Sequence, residues 1–159
     1  MVSRPYRHEN GCEEVMKKMI LRILTLSYTG LIISCNSLPA RNPQLQREWM
    51  LVAYSSYSKQ ELISGGAKID LTAPVLNGEI RGGAFMSCNR MFFSSEFKKN
   101  GTLKISGLGS TLMACPDMKL EDDFAKGFKN MTRYEINGHF LILHDKQGST
   151  MKFIASDWD

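Results

Sequence analysis

The sequence predicts an α+β fold, mostly antiparallel β with one substantial helix, and three observations predict it. Short runs such as Ala67–Leu71 and Thr102–Ser106 alternate apolar and polar residues at the period of a half-buried strand. Asn-Gly pairs at Asn77-Gly78, Asn100-Gly101 and Asn137-Gly138 punctuate the chain, and such pairs supply the positive φ angles of tight hairpins. One stretch alone keeps helical spacing, with Leu120, Phe124, Phe128 and Met131 recurring at intervals of three and four. A chain of 159 residues, 43% hydrophobic and 23% charged, suffices for one domain around one core.

The elements follow in order. Trp49–Tyr54 is an apolar run rich in strand formers, and Trp49 is expected in the core or packed at its edge. Gly65-Gly66 turns the chain into Ala67–Leu71, which Pro74 ends. After Asn77-Gly78, Glu79-Ile80-Arg81 leads to Gly82-Gly83, expected to mark a bulge or sharp bend. A phosphate-cradling loop is not indicated there, since no Gly-Lys-Ser/Thr follows. Met91–Phe97 and Thr102–Ser106 form a hairpin across Lys98-Lys99-Asn100-Gly101, with Leu103 and Ile105 on its buried face.

Pro116 and Asp117 read as the start of the helix. Glu121, Asp122 and Asp123 lie in its first turns and Lys126, Lys129 and Arg133 toward its end, the charge order that suits the helix dipole. Adjacent carboxylates on a helix point apart, so this trio is expected to be solvated and not to hold a metal. Strands at Thr132–Ile136, His139–His144 and Ser149–Ala155 then finish the domain as a meander.

The N-terminal region has the layout of an export signal. Lys17 and Lys18 precede an apolar run, Ile23–Ile33, that is about half the length of a spanning helix. Ile32-Ile33-Ser34-Cys35 resembles the bacterial lipobox, in which the cysteine is lipidated and becomes the mature N-terminus. More than one acyl chain on Cys35 makes a stable anchor, at about 0.8 kcal/mol per buried methylene. Asn36 rather than aspartate follows Cys35, so in an envelope with two membranes the resemblance implies the outer membrane, with the domain facing the periplasm. The expected organisation is therefore an upstream extension at 1–15, a signal peptide at 16–34, a flexible tether at 35–47 and a folded domain at 48–159. Residues 1–15 fit no signal, and Glu13-Glu14 is encodable by a purine-rich run of the kind that precedes a start codon, so translation is expected to begin at Met16.

Charge excludes one class of partner. The formal charge is +4, of which the first 34 residues carry +2, and the rest of the chain mixes 15 basic with 13 acidic side chains. No basic stripe for nucleic acid results. Of the four cysteines, Cys12 lies in the upstream extension and Cys35 is the lipidation candidate. Cys88 and Cys115 remain, and in an oxidising envelope two such cysteines suggest a disulfide worth on the order of 3 kcal/mol; two reduced, buried thiols are the alternative. Neither has the second close ligand that structural zinc needs.

These residues, taken together, resemble the META domain family and its HslJ-like bacterial lipoproteins. The resemblance rests on Trp49, Gly83, Ser87-Cys88-Asn89-Arg90, the Lys-Asn-Gly hairpin, Leu108, Thr111 and Met113-Ala114-Cys115. A phenylalanine-containing helix, Leu141-Ile142-Leu143 and Lys152-Phe153-Ile154 complete the order, from Trp49 to Asp157. The chain departs from the family in having Gly83-Ala84-Phe85-Met86-Ser87 before Cys88, where a shorter Gly-x-x-Cys-Asn is more common. The resemblance implies a small, strongly curved antiparallel sheet, partly closed and barrel-like, with the helix packed on it. It also implies an envelope protein, often with a cysteine pair, associated with heat shock, drug tolerance, motility or virulence. It carries over no active site and no cofactor.

The residues themselves point the same way. His139 and His144 are five apart on an expected strand and should face opposite sides, and neither a Gly-x-Ser-x-Gly elbow nor a nucleotide fingerprint is present. The leading expectation is a non-catalytic envelope module that binds a partner protein, with Asn89 and Arg90 exposed beside the cysteine pair as the candidate surface. The alternative is a carrier of a lipid or other small apolar ligand, with Phe85, Phe92, Phe93 and Phe97 lining a cavity closed by the Phe124/Phe128 helix. N-terminal sequencing of the unprocessed precursor is expected to start at Met16; a peptide from residues 3–14 overturns that start.

Overall fold

The computed structural model describes residues 16–19 and 42–158. The chain divides into two units, residues 1–38 and 39–159. In the first, the described residues Met16–Met19 are helical and exposed. The expected extension at 1–15, the remainder of the signal segment and Cys35 lie outside the described residues.

The second unit is one antiparallel sheet curled around its core. In chain order its strands are β1 (Glu48–Tyr54), β2 (Lys68–Asp70), β3 (Val75–Leu76), β4 (Glu79–Phe85), β5 (Arg90–Phe97), β6 (Leu103–Ser110), β7 (Arg133–Asn137), β8 (Phe140–His144) and β9 (Thr150–Ala155). Helix α1 (Lys59–Ser64) follows β1, helix α2 (Lys119–Phe128) follows β6, and a 3-10 turn (Ser156–Trp158) follows β9. The sheet order is β6-β5-β4-β2-β1-β9-β8-β7, with β3 paired to the start of β4. The first strand therefore sits mid-sheet, between β2 and β9.

Curling brings the two outer strands together. Leu103 N–H donates to Thr132 O at 2.8 Å and Tyr134 N–H to Gly101 O at 2.9 Å. Phe97 packs edge-on against Tyr134 across this seam, with ring centroids 4.9 Å apart. Two irregularities supply curvature, as bulges do. Val52 is an extra residue of β1 against β9. Opposite Phe93, β6 carries both Gly107 and Leu108, and Gly107 takes φ +61°.

Inside the curl lie Trp49, Leu51, Ile69, Phe93, Leu141, Leu143, Met151 and Phe153, alternating along their strands as the two-residue period requires. Helix α2 adds Phe124 and Phe128, stacked on each other at 4.7 Å, and Phe93 meets Phe128 edge-on at 4.8 Å. The Trp49 indole N–H donates to Leu45 O at 2.9 Å, so this buried tryptophan leaves no polar atom unpaired.

Three expectations change. Gly82-Gly83 is no bulge, since β4 pairs with β5 in unbroken register from Ile80 to Phe85. Gly82 instead makes room for a ring: a Cβ there would lie 2.4 Å from Phe93. The domain also begins before residue 48. Leu45 is 4% and Gln46 2% exposed, Gln46 Nε2 donates to Ala73 O at 2.7 Å, and Arg47 pairs with Asp157. Half of the expected tether is thus folded, because Leu45 covers Trp49. Finally, α1 was not anticipated, although its capping box is visible as Ser58 and Glu61: Glu61 N–H donates to Ser58 Oγ at 3.2 Å and Ser58 N–H to Glu61 Oε2 at 2.7 Å.

Gly82→Ala is expected to cost about 1–3 kcal/mol through overpacking against Phe93. Gly83→Ala, whose Cβ would meet nothing nearer than Met91 O at 3.7 Å, should stay within about 1 kcal/mol of the parent. Urea denaturation midpoints of the two variants check this.

Candidate functional site

Asn89 and Arg90 are adjacent in sequence and opposite in environment. Asn89 is fully buried and its side chain holds the segment that follows β6. Its Oδ1 accepts from Thr111 Oγ1 and from Met113 N–H, both at 2.8 Å, and its Nδ2 donates to Met113 O at 3.3 Å. Its backbone N–H donates to Glu121 Oε2 at 2.8 Å, which is how α2 accommodates a carboxylate that is only 4% exposed. Cys88 and Cys115 are joined by a disulfide, with Cα atoms 6.3 Å apart, at the same place. The expectation that Asn89 is exposed is therefore corrected: it is a structural bracket, tying the residue before β5 to Thr111 and Met113. Ser87, in the stretch where the chain departs from the family pattern, takes φ +81° to bring Cys88 and Asn89 inward.

Arg90 is exposed and opens onto a groove on the outer face of the sheet. The groove encloses about 510 Å³ and is lined by Glu48, Lys68, Asp70, Gly83, Phe85 and Arg90 among others. Strand register explains it. Phe85 stands between Lys68 of β2 and Arg90 of β5, and Gly83 stands between Asp70 and Phe92. Gly83 contributes no side chain, and the Phe92 ring folds away over Gly109, where a Cβ would lie 2.5 Å from it. A furrow is left between them. It continues into a second hollow of about 350 Å³ that shares Glu48, Lys68 and Phe85 and adds Met50, Ile63 and Gly66.

The charges of the groove are not equivalent. Lys68 Nζ pairs with Glu48 Oε2 at 3.0 Å, and Asp70 Oδ1 accepts the Thr72 N–H at 2.8 Å. Among the described residues Arg90 makes no ion pair. The site thus offers an apolar floor with a free guanidinium at its rim, suited to a planar anion such as a carboxylate.

The sequence model of the META domain matches residues 43–158. The chain belongs to the META domain family. Two solved structures share the fold. One is an NMR structure of a protein from Burkholderia xenovorans, 20% identical, with a TM-score of 0.56, covering 74% of this chain and 92% of that one. The other, also solved by NMR, is 19% identical with a TM-score of 0.52, and covers 75% and 98% respectively. No curated protein matches the chain.

Within this META domain the other candidate residues are dispersed. Phe93 is core and Phe97 packs on Tyr134 across the β6–β7 seam, while Phe92 and Phe85 face outward. The four phenylalanines do not line one cavity. His139 stacks on Trp158, with ring centroids 3.3 Å apart, whereas His144 Nε2 lies 3.6 Å from Glu135 Oε1; His139 precedes β8 and His144 ends it, and they share no site. Among the described residues no three His, Cys, Asp or Glu side chains converge as metal ligands. The acidic trio of α2 does point apart, but only Asp122 is fully exposed. Asp123 accepts from the Tyr57 hydroxyl at 2.7 Å and from Lys119 Nζ at 3.1 Å. Those two donors, the tyrosine first, hold its carboxyl below the usual range.

Asn89→Ala should cost about 1–3 kcal/mol, since it removes the partner of the part-buried Met113 N–H and of Thr111 Oγ1 and frees the Thr111–Met113 segment. Arg90→Ala should fall within about 0.5 kcal/mol of the parent. Urea unfolding of the oxidised domain separates the two roles.

Proposed function

We propose that this META-domain protein is a lipid-anchored envelope protein that works by binding, not catalysis, and that its recognition surface is the outer groove from Ile63 through Phe85 to Arg90. Cys35 would carry the anchor, most consistently in the outer membrane with the domain facing the periplasm, and the occupant would be an envelope protein. A role in tolerance of envelope stress or drugs follows from the family resemblance. The observation that carries the reading is the groove itself. Its floor of Phe85 and Met50 is rigid sheet, its emptiness comes from Gly83, and Arg90 stands unpaired at its rim. Aromatic and arginine side chains in such a setting are the residue types that dominate binding energy at interfaces. An extended partner segment with an acidic side chain and apolar neighbours would fit it.

Two measurements test the reading. Cys35→Ser should abolish acyl labelling and release the protein from the membrane fraction. A photocrosslinking residue at Phe85 should capture a discrete envelope protein, and one at Glu135 on β7 should not. Gly83→Val, which fills the furrow without entering the core, should abolish that capture. An unchanged product in the Gly83→Val variant rejects the groove as the binding surface.

A further inference from the structure

The fold extends back to Asn42, so only six residues, a span of seven Cα–Cα steps, separate it from Cys35. Even fully extended, that length reaches at most ~25 Å. If Cys35 carries lipid, as proposed above, the end of the domain where the chain enters the fold stays close to the bilayer. The structure at that end is built around an exposed indole. Trp158 is 58% exposed, whereas Trp49 is fully buried. The 3-10 turn that carries Trp158 is pinned beside the entering chain in two ways. Ser156 Oγ donates to Glu48 O at 3.0 Å, and Asp157 pairs with Arg47. The indole lies flat on His139, 6° from parallel, which fixes its orientation. The Arg47 guanidinium, beside Asp157, holds the Asp157 carboxyl below its usual range, so the pair that secures the turn stays charged near neutral pH.

We infer that Trp158 is a membrane-interface contact that orients the anchored domain, with the lipid headgroup boundary as its occupant. Indole suits that boundary, having an apolar body and one N–H donor, and tryptophan is enriched there for this reason. A side chain already held rigid loses little freedom on insertion. The short tether keeps the indole within reach of the bilayer. This rests on lipidation of Cys35, and the experiment separates the two.

The full-length lipidated protein is placed in vesicles of phosphatidylethanolamine and phosphatidylglycerol, and acylation of Cys35 is read by mass spectrometry. The emission of Trp158 is obtained as the difference between the parent and Trp158→Phe. The inference expects that emission to shift to shorter wavelength on vesicle reconstitution, to lose quenching by aqueous iodide and to gain quenching by brominated lipid. Leu112→Ser, at an exposed residue beyond β6 and four strands from β1, should leave these changes intact. Acylated Cys35 with Trp158 still open to iodide overturns the inference and leaves the anchor standing. An unmodified Cys35 overturns both. A concentration-dependent blue shift without vesicles also overturns it, because protein and not lipid would then cover the indole.

Discussion

The buried amide of Asn89 is the constraint on which the arrangement around it depends. Between the end of β6 at Ser110 and the start of α2 at Lys119 the chain must reverse direction without a strand of its own. Residues 111–118 do this with no strand partner of their own beyond the Thr111 N–H bond to Arg90 O. Asn89 provides what a strand would have provided, accepting and donating to Met113 and accepting from Thr111. Its own backbone N–H then satisfies Glu121, so the same residue seats the start of α2. Buried polar groups are tolerated only when paired, and here one residue pairs several at once. The disulfide beside it limits how far the two segments separate in the unfolded chain, while the amide sets how they meet in the folded one.

Much of the architecture was legible because it follows from local periodicity. Leu103 and Ile105 share the inner side of β6, Phe124 and Phe128 face the sheet from α2, and the Asn-Gly turns fall where they were expected. What was not legible depends on residues distant in sequence. Whether Gly82 marks a bulge or a space cannot be read without knowing that Phe93 of the neighbouring strand lies over it. Glu121 looked like one of three solvated carboxylates, and only the approach of Asn89 makes its burial affordable. The pairing of Leu45 with Trp49 likewise turns an apparent linker into part of the fold. Of the candidate surface, half survived: the pattern Cys-Asn-Arg marks a special place but does not reveal that its asparagine points in and its arginine out. The groove had no signature at all, being made by the absence of a side chain at Gly83 and by register across four strands.

Groove and indole are two distinct features of the surface. The furrow between Gly83 and Phe92 is cut into sheet, and among the described residues Arg90 at its rim makes no ion pair. Trp158 belongs to the same end of the molecule as the entering chain. Glu48 links the two, lining the groove with its side chain while its carbonyl accepts from Ser156 of the turn that carries Trp158.

The mid-sheet position of β1 has a further consequence for how the molecule is made. β1 is bonded along one side to β9, more than a hundred residues downstream in the register Trp49 to Ala155. A growing or translocating chain that has not yet released residue 155 cannot complete its central strand, and helix α2 has no closed wall to pack against. Such dependence on contacts distant in sequence slows folding. If the chain is exported as proposed, its central strand stays incomplete until the last strand is free, which delays closure of the interior around Trp49.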